Sequence, residues 1–167
     1  KRQNPGDGGF DWHQDYGYWY HNACLYPDMA SCFIMLDKAN KENGCLKVLK
    51  GSHRVGRISH ERSDTPEQTA DNERIRELEK RHESVYIEAE PGDALFFHAN
   101  LLHSSDANKS QNSRRTLIVC FNTKSNNPYK EIGHASYNQL KVANHNSIME
   151  YKICLLYTSP SPRDWTI

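Results

Sequence analysis

No stretch of this 167-residue chain stays apolar for more than a handful of residues. That predicts neither a membrane span nor a signal-peptide core within it. No charge of one sign prevails: 21 Lys and Arg stand against 21 Asp and Glu, with a pI of about 7.2. A protein that binds nucleic acid by neutralising phosphates needs a basic surplus, so no nucleic-acid partner is expected. There is no C-x-x-C pair among Cys24, Cys32, Cys45, Cys120 and Cys154. Four of the five sit among apolar neighbours, as in Ser31-Cys32-Phe33-Ile34, which predicts free buried thiols, a reducing cytoplasmic setting and no cysteine metal site. Internal repeats and coiled-coil heptads are absent too. Aromatics are not scarce, and nine Tyr, three Trp and five Phe with 25% charged residues argue against disorder. The length fits one domain able to bury a core. Histidine is unusually frequent, at nine.

Along the chain, short apolar runs alternate with turn signals. Pro5-Gly6-Asp7-Gly8-Gly9 marks a loop, residues 30–37 (ASCFIMLD) have strand length, and Asn43-Gly44 punctuates before Cys45 to Leu49. Gly51-Ser52-His53-Arg54 reads as a turn. Further strand-like runs are residues 85–87, 94–98, 100–103 and 116–121. Between Thr65 and Glu83, Thr65 can cap, Pro66 suits a first helical position, and Ile75 and Leu78 lie three apart among charges. The pattern predicts one surface helix near 66–83 on an otherwise mainly β sandwich or barrel. Residues 122–153 are polar and carry no clear periodicity.

The two ends read differently. Cys154 to Asp164 (CLLYTSPSPRD) resembles the conceptual translation of a transposon-type sequencing adaptor, and Lys1-Arg2-Gln3 resembles the end of its other strand. The expectation is that 1–3 and 154–167 are non-native ends, with 154–167 packing against nothing, and that 4–153 is a partial domain.

His13-Gln14-Asp15 sets an imidazole and a carboxylate two positions apart, and in an extended segment residues i and i+2 share a side. One strand end can therefore offer a nitrogen and an oxygen to one metal. A second histidine from elsewhere would complete the two-His, one-carboxylate face of non-haem Fe(II) oxygenases, whose opposite positions stay open. The triplet alone leaves the second histidine undecided.

Three blocks supply the context: WHQDYGYW at 12–19, NGCLKVLKGSHR at 43–54, and PGDALFFHANLLHSSDANKSQNSRRTLIVCF at 91–121. Running in order across residues 10–122, they resemble the phytanoyl-CoA dioxygenase family, which includes ectoine hydroxylases. The aromatic frame of His13 and Asp15 is similar to the ectoine hydroxylase branch, and the Gln within H-Q-D to the phytanoyl-CoA branch. The resemblance implies a double-stranded β-helix (jelly roll, cupin-like), incomplete at both ends here. It also implies Fe(II), 2-oxoglutarate as co-substrate, O₂, and hydroxylation of a C–H bond of a small organic or acyl substrate with release of succinate and CO₂. Acyl-CoA, a small zwitterion and a secondary metabolite all stay open as substrates.

Carried over by position, the resemblance makes His13, Asp15 and His103 the metal ligands and Arg114 the holder of the far 2-oxoglutarate carboxylate. A guanidinium suits that task because it donates two parallel hydrogen bonds and keeps its charge. Arg115, its strand neighbour, would point away. Ser105 and Gln14 are candidates for hydrogen bonds to the co-substrate, and Trp19 for a substrate-facing wall. His98 is expected to be a buried, hydrogen-bonded strand residue rather than a ligand, and His53 a turn residue. His21, His60, His82, His134 and His145 are expected to be solvated. Related halogenases lack the carboxylate at the position of Asp15, so its presence favours hydroxylation. A non-oxidative cupin-type isomerase or binding module, or an inactive fragment, are the alternatives.

Overall fold

Two antiparallel four-stranded sheets face each other and hold the site between them. The computed structural model describes residues 2–61, 69–131 and 138–147. Its strands are β1 (Arg2–Gln3), β2 (Phe10–His13), β3 (Met29–Met35), β4 (Leu46–Leu49), β5 (His60–Glu61), β6 (Thr69–Ala70), β7 (Ser84–Ile87), β8 (Ala94–His98), β9 (His103–Ser105) and β10 (Arg114–Asn122). The helices are α1 (Asp15–His21) and α2 (Asn72–Glu79).

One sheet has the order β1-β10-β3-β8 and the other β2-β9-β4-β7, so neighbours in space are distant in sequence. That interleaving of antiparallel strands is the jelly roll. β10 pairs with β3 along its length, from Thr116 opposite Met35 to Asn122 opposite Met29. On the facing sheet, β9 lies between β2 and β4, with His13 opposite His103 and Val48 opposite His103 on the other flank. β1 adds to the β10 edge, Gln3 opposite Arg114.

The inward residues make the core. Phe33, Met35 and Phe97 from one sheet meet Leu46 and Val48 from the other, closed at one end by Ala39 and Cys45. Full burial of each large apolar side chain is worth about 1.5–3 kcal/mol. A second cluster of Leu49, Ile58, Ala70, Ile75 and Leu102 seats α2 against the flank, with Leu78 and Trp12 packed on it. The expected apolar pair Ile75 and Leu78 is thus the packing face of this helix.

Three sequence expectations change here. The helix starts at Asn72 and not near Thr65, because Asp71 caps it by accepting the Arg74 N–H at 2.8 Å. Thr69–Ala70 form a strand against His60–Glu61 instead. Thr65 and Pro66 lie outside the described residues. A second helix, α1, follows directly on the H-Q-D triplet. The strand expected at residues 100–103 begins at His103 and not at Asn100.

Gly9 shows where a glycine is required. A Cβ there would sit 2.2 Å from the Ser105 carbonyl oxygen, so only glycine lets the loop before β2 lie against β9. Cys24, Cys32, Cys45 and Cys120 are free thiols, the first three buried. Among the described residues, no helix is long and apolar enough to cross a membrane. Residues 138–147 belong to a separate unit, in which the Ser147 N–H donates to the Asn144 carbonyl at 2.9 Å. The segment 154–167 lies outside the described residues.

Candidate metal centre

β2 ends at His13, Gln14 stays extended (φ −115°, ψ 133°), and Asp15 opens α1. The i, i+2 relation of the two side chains therefore spans a strand-to-helix junction, with the carboxylate in the favourable first turn. His103 begins β9, directly opposite His13 in the ladder. The three side chains converge: one ligand atom of each lies within 4.8 Å of the others. The imidazole centroids are 4.1 Å apart, and His103 Nε2 stands 3.5 Å from Asp15 Oδ1.

Each imidazole is tied from behind. His13 Nδ1 donates to the Asp11 carbonyl at 2.7 Å, and His103 Nδ1 to the Leu101 carbonyl at 2.9 Å. A carbonyl oxygen can only accept, so the proton sits on Nδ1 and the Nε2 lone pair is left for a metal. Asp15 accepts a hydrogen bond from the Ser31 hydroxyl on Oδ2. Two imidazoles and one carboxylate with fixed orientations suit Fe(II) better than hard O-only cations or thiolate-preferring metals. Among the described residues this is the one such cluster.

Beside the trio is a small cavity of about 40 Å³, lined by Phe10, His13, Phe33, His103, Ser105 and Arg114 among others. Arg114 is only 8% exposed and donates from Nε to the Asn43 carbonyl at 3.4 Å. Burial pulls its pKa down from the ordinary value, with the Cys45 thiol acting the other way. A charge buried in such a wall favours binding of an anion. Arg115 faces outward and is engaged on the surface, with Asp37 accepting from Nε at 2.9 Å and Nη2 at 2.7 Å. Ser105, two residues beyond His103 on β9, is buried at the cavity wall.

Gln14 does not reach this cavity. Its side-chain amide donates to the carbonyls of Gly56 (2.7 Å) and Asn100 (2.8 Å) and accepts from the Ile58 N–H (2.8 Å). Sitting between two inward residues, it points the other way and staples three loops together. Trp19 also stands away from the cavity lining. It packs on Tyr16, Cys24, Met29 and Ala99.

The histidine expectations are partly reversed. His98 is exposed on β8, its Nδ1 accepting the Asn100 N–H at 3.0 Å, so it is hydrogen-bonded but not buried. His60 is buried instead of solvated: Nε2 accepts the Gln14 N–H at 2.9 Å and Nδ1 donates to the Ile58 carbonyl at 2.9 Å. His82 is half-buried and donates from Nδ1 to the Lys50 carbonyl at 2.9 Å; His134 is outside the described residues. Ser31 was not singled out from sequence, although a lone hydroxyl in the apolar run 30–37 is a signal of its kind.

Comparison with known proteins follows the same outline. Residues 1–116 match the family described as Phytanoyl-CoA dioxygenase (PhyH). The chain is 32% identical over 124 residues to a 2-aminoethylphosphonate dioxygenase from the uncultured bacterium HF130_AEPn_1, covering 71% of this chain and 41% of that protein. It is 30% identical over 140 residues to the L-proline trans-4-hydroxylase of Streptomyces griseoviridis, covering 70% and 49% respectively. The crystal structure of EctD from S. alaskensis with 2-oxoglutarate and 5-hydroxyectoine superposes with a TM-score of 0.67 at 26% identity, over 77% of this chain and 43% of that one. The chain thus spans less than half the length of each of these relatives.

Proposed function

Because the chain belongs to the phytanoyl-CoA dioxygenase family, we propose that it carries the metal centre of an Fe(II)- and 2-oxoglutarate-dependent dioxygenase. The enzyme hydroxylates a C–H bond of a small organic or acyl substrate and releases succinate and CO₂. The observation that supports this reading is one cavity lined by His13, His103 and the buried Arg114, with Asp15 completing the trio of ligand atoms.

His13 and His103 hold the metal through Nε2, and Asp15 through Oδ1. Fe(II), when bound, supplies the redox chemistry that couples oxidative decarboxylation of 2-oxoglutarate to attack on a C–H bond. Arg114 binds the far carboxylate of 2-oxoglutarate, and Ser105 offers a hydroxyl along the same wall. The apolar rings of Phe10 and Phe33 keep water from that end of the cavity. The four free thiols among the described residues fit a reducing, cytoplasmic setting. A 2-aminoethylphosphonate dioxygenase and a proline hydroxylase among the relatives suit a small polar substrate.

The test is succinate formation from 2-oxoglutarate by the complete protein, with and without Fe(II) and under air or nitrogen. The substrate panel is 2-aminoethylphosphonate, L-proline, ectoine and a branched acyl-CoA. Production that requires both Fe(II) and O₂ supports the reading. Failure to bind 2-oxoglutarate in the metal-loaded protein overturns it.

A further inference from the structure

We infer that Ser31 is a positioning residue that limits Asp15 to one metal-facing oxygen, and that its cross-strand neighbour Cys120 holds Ser31 in that role. The inference rests on the metal-centre reading above and deepens it.

The two oxygens of Asp15 have different surroundings. Oδ1 lies 3.5 Å from His103 Nε2, on the side where the imidazole lone pairs meet. Oδ2 accepts the Ser31 hydroxyl. Ser31 is 1% exposed in the middle of β3, so its hydroxyl has no water to turn to and few rotamers to choose from. Behind it, Cys120 Sγ is 3.8 Å from Ser31 Oγ. Ser31 and Cys120 are direct cross-strand partners in the β3–β10 ladder, and that register fixes their approach.

The hydrogen inventory gives the row a direction. Ionised Asp15 can only accept, so the single Ser31 proton points at Oδ2. The Ser31 oxygen then takes the thiol proton of Cys120. Both protons face the carboxylate, and the orientation of Ser31 depends on Cys120.

The consequence concerns open positions. A carboxylate can bind a metal through one oxygen or two. Two imidazole nitrogens and one carboxylate oxygen leave the opposite face free for a co-substrate and O₂. A chelating Asp15 would take one of those positions. The Ser31 hydrogen bond keeps Oδ2 engaged and so guards against it.

The experiment is Co(II) titration of the full chain in the absence of 2-oxoglutarate, followed by visible absorption. It compares wild type with the shape-matched pair Ser31→Thr and Ser31→Val, which differ by a hydroxyl against a methyl and both suit a strand. Loss of a group that orients a ligand costs roughly 10–100-fold in metal affinity. The expected result is that weakening in Ser31→Val, with d–d bands that differ from wild type, while Ser31→Thr stays within about threefold of wild type by the same measure. Ser31→Ala repeats the comparison if the Val variant does not fold by circular dichroism. Hydroxyl-free variants that bind Co(II) like wild type, while Asp15→Ala does not bind, overturn the role of Ser31 alone. If Asp15→Ala binds Co(II) like wild type, the metal-centre reading itself falls, and this inference with it.

Discussion

His13 and His103 face each other across the β2–β9 ladder, and each anchors Nδ1 on the carbonyl of the residue two positions before it. The shared device turns two histidines 90 positions apart in sequence into a matched pair with their Nε2 atoms on one side. No other histidine has that relation to Asp15 among the described residues.

The first prediction separates the two histidines of residues 94–105. His103→Ala should abolish measurable Co(II) binding, because it removes one of three donors. His98→Ala should leave it unchanged, since His98 stands exposed on β8 and its Nδ1 accepts a backbone N–H. Isothermal titration on both variants decides the matter. Retained binding in His103→Ala would refute the assignment.

The second concerns the neighbouring arginines. Arg114→Lys should raise the KM for 2-oxoglutarate roughly 10–100-fold, the worth of a charge-assisted bidentate contact that an ammonium cannot reproduce. Co(II) affinity should stay at the wild-type value, because all three ligands remain. Arg115→Lys should change neither quantity, since Arg115 serves the surface pair with Asp37. Opposite behaviour of the two variants would place the co-substrate elsewhere.

These residues show what the chain order made legible. The H-Q-D triplet, the block containing His103 and the spacing to Arg114 could all be read locally or from the resemblance, and the structure brings them to one cavity. α1 could not, because Asp15–His21 (DYGYWYH) joins a central glycine to aromatics with poor helix propensity. Tertiary packing of Tyr16 and Trp19 holds it. Gln14 and His60 failed for another reason. They bond each other across 46 residues, and Gln14 reaches Asn100 across 86. No local pattern announces such a bond. The helix start moved because Thr65-Pro66 is a good start signal that Asp71 also provides, six residues later and nearer the apolar pair.

The third prediction weighs helix propensity against space. Gly17→Ala should gain up to about 1 kcal/mol from propensity within α1. The new Cβ would meet His60 Nδ1 at 2.4 Å, and His60 is held at both ring nitrogens and cannot step aside. Overpacking of this kind costs about 1–3 kcal/mol, so it wins and the variant is less stable. In a His60→Ala background the same substitution should become neutral or stabilising. Urea denaturation of the four proteins reads the reversal, and a destabilisation unchanged by His60→Ala would contradict it.

The last prediction follows His60 into its pH dependence. Burial, the largest influence, lowers its pKa below the ordinary 6.5. The folded ring must stay neutral, because Nδ1 already carries the proton given to Ile58 and Nε2 must accept the Gln14 N–H. Above the unfolded value of 6.5 the histidine is neutral in both states, and its contribution to stability is complete. As pH falls below that value the unfolded chain takes up the proton first, so stability is lost progressively until the folded ring is protonated as well. Protonation also severs the Gln14 bond at the strand-to-helix junction that carries His13 and Asp15. Melting temperature of the metal-free chain should therefore drop between pH 7 and pH 5, about in step with one histidine's titration. His60→Gln, which keeps a side-chain acceptor but cannot take up the proton, should show a shallower slope over the same range. Equal slopes for the two proteins would mean that another group governs the acid loss.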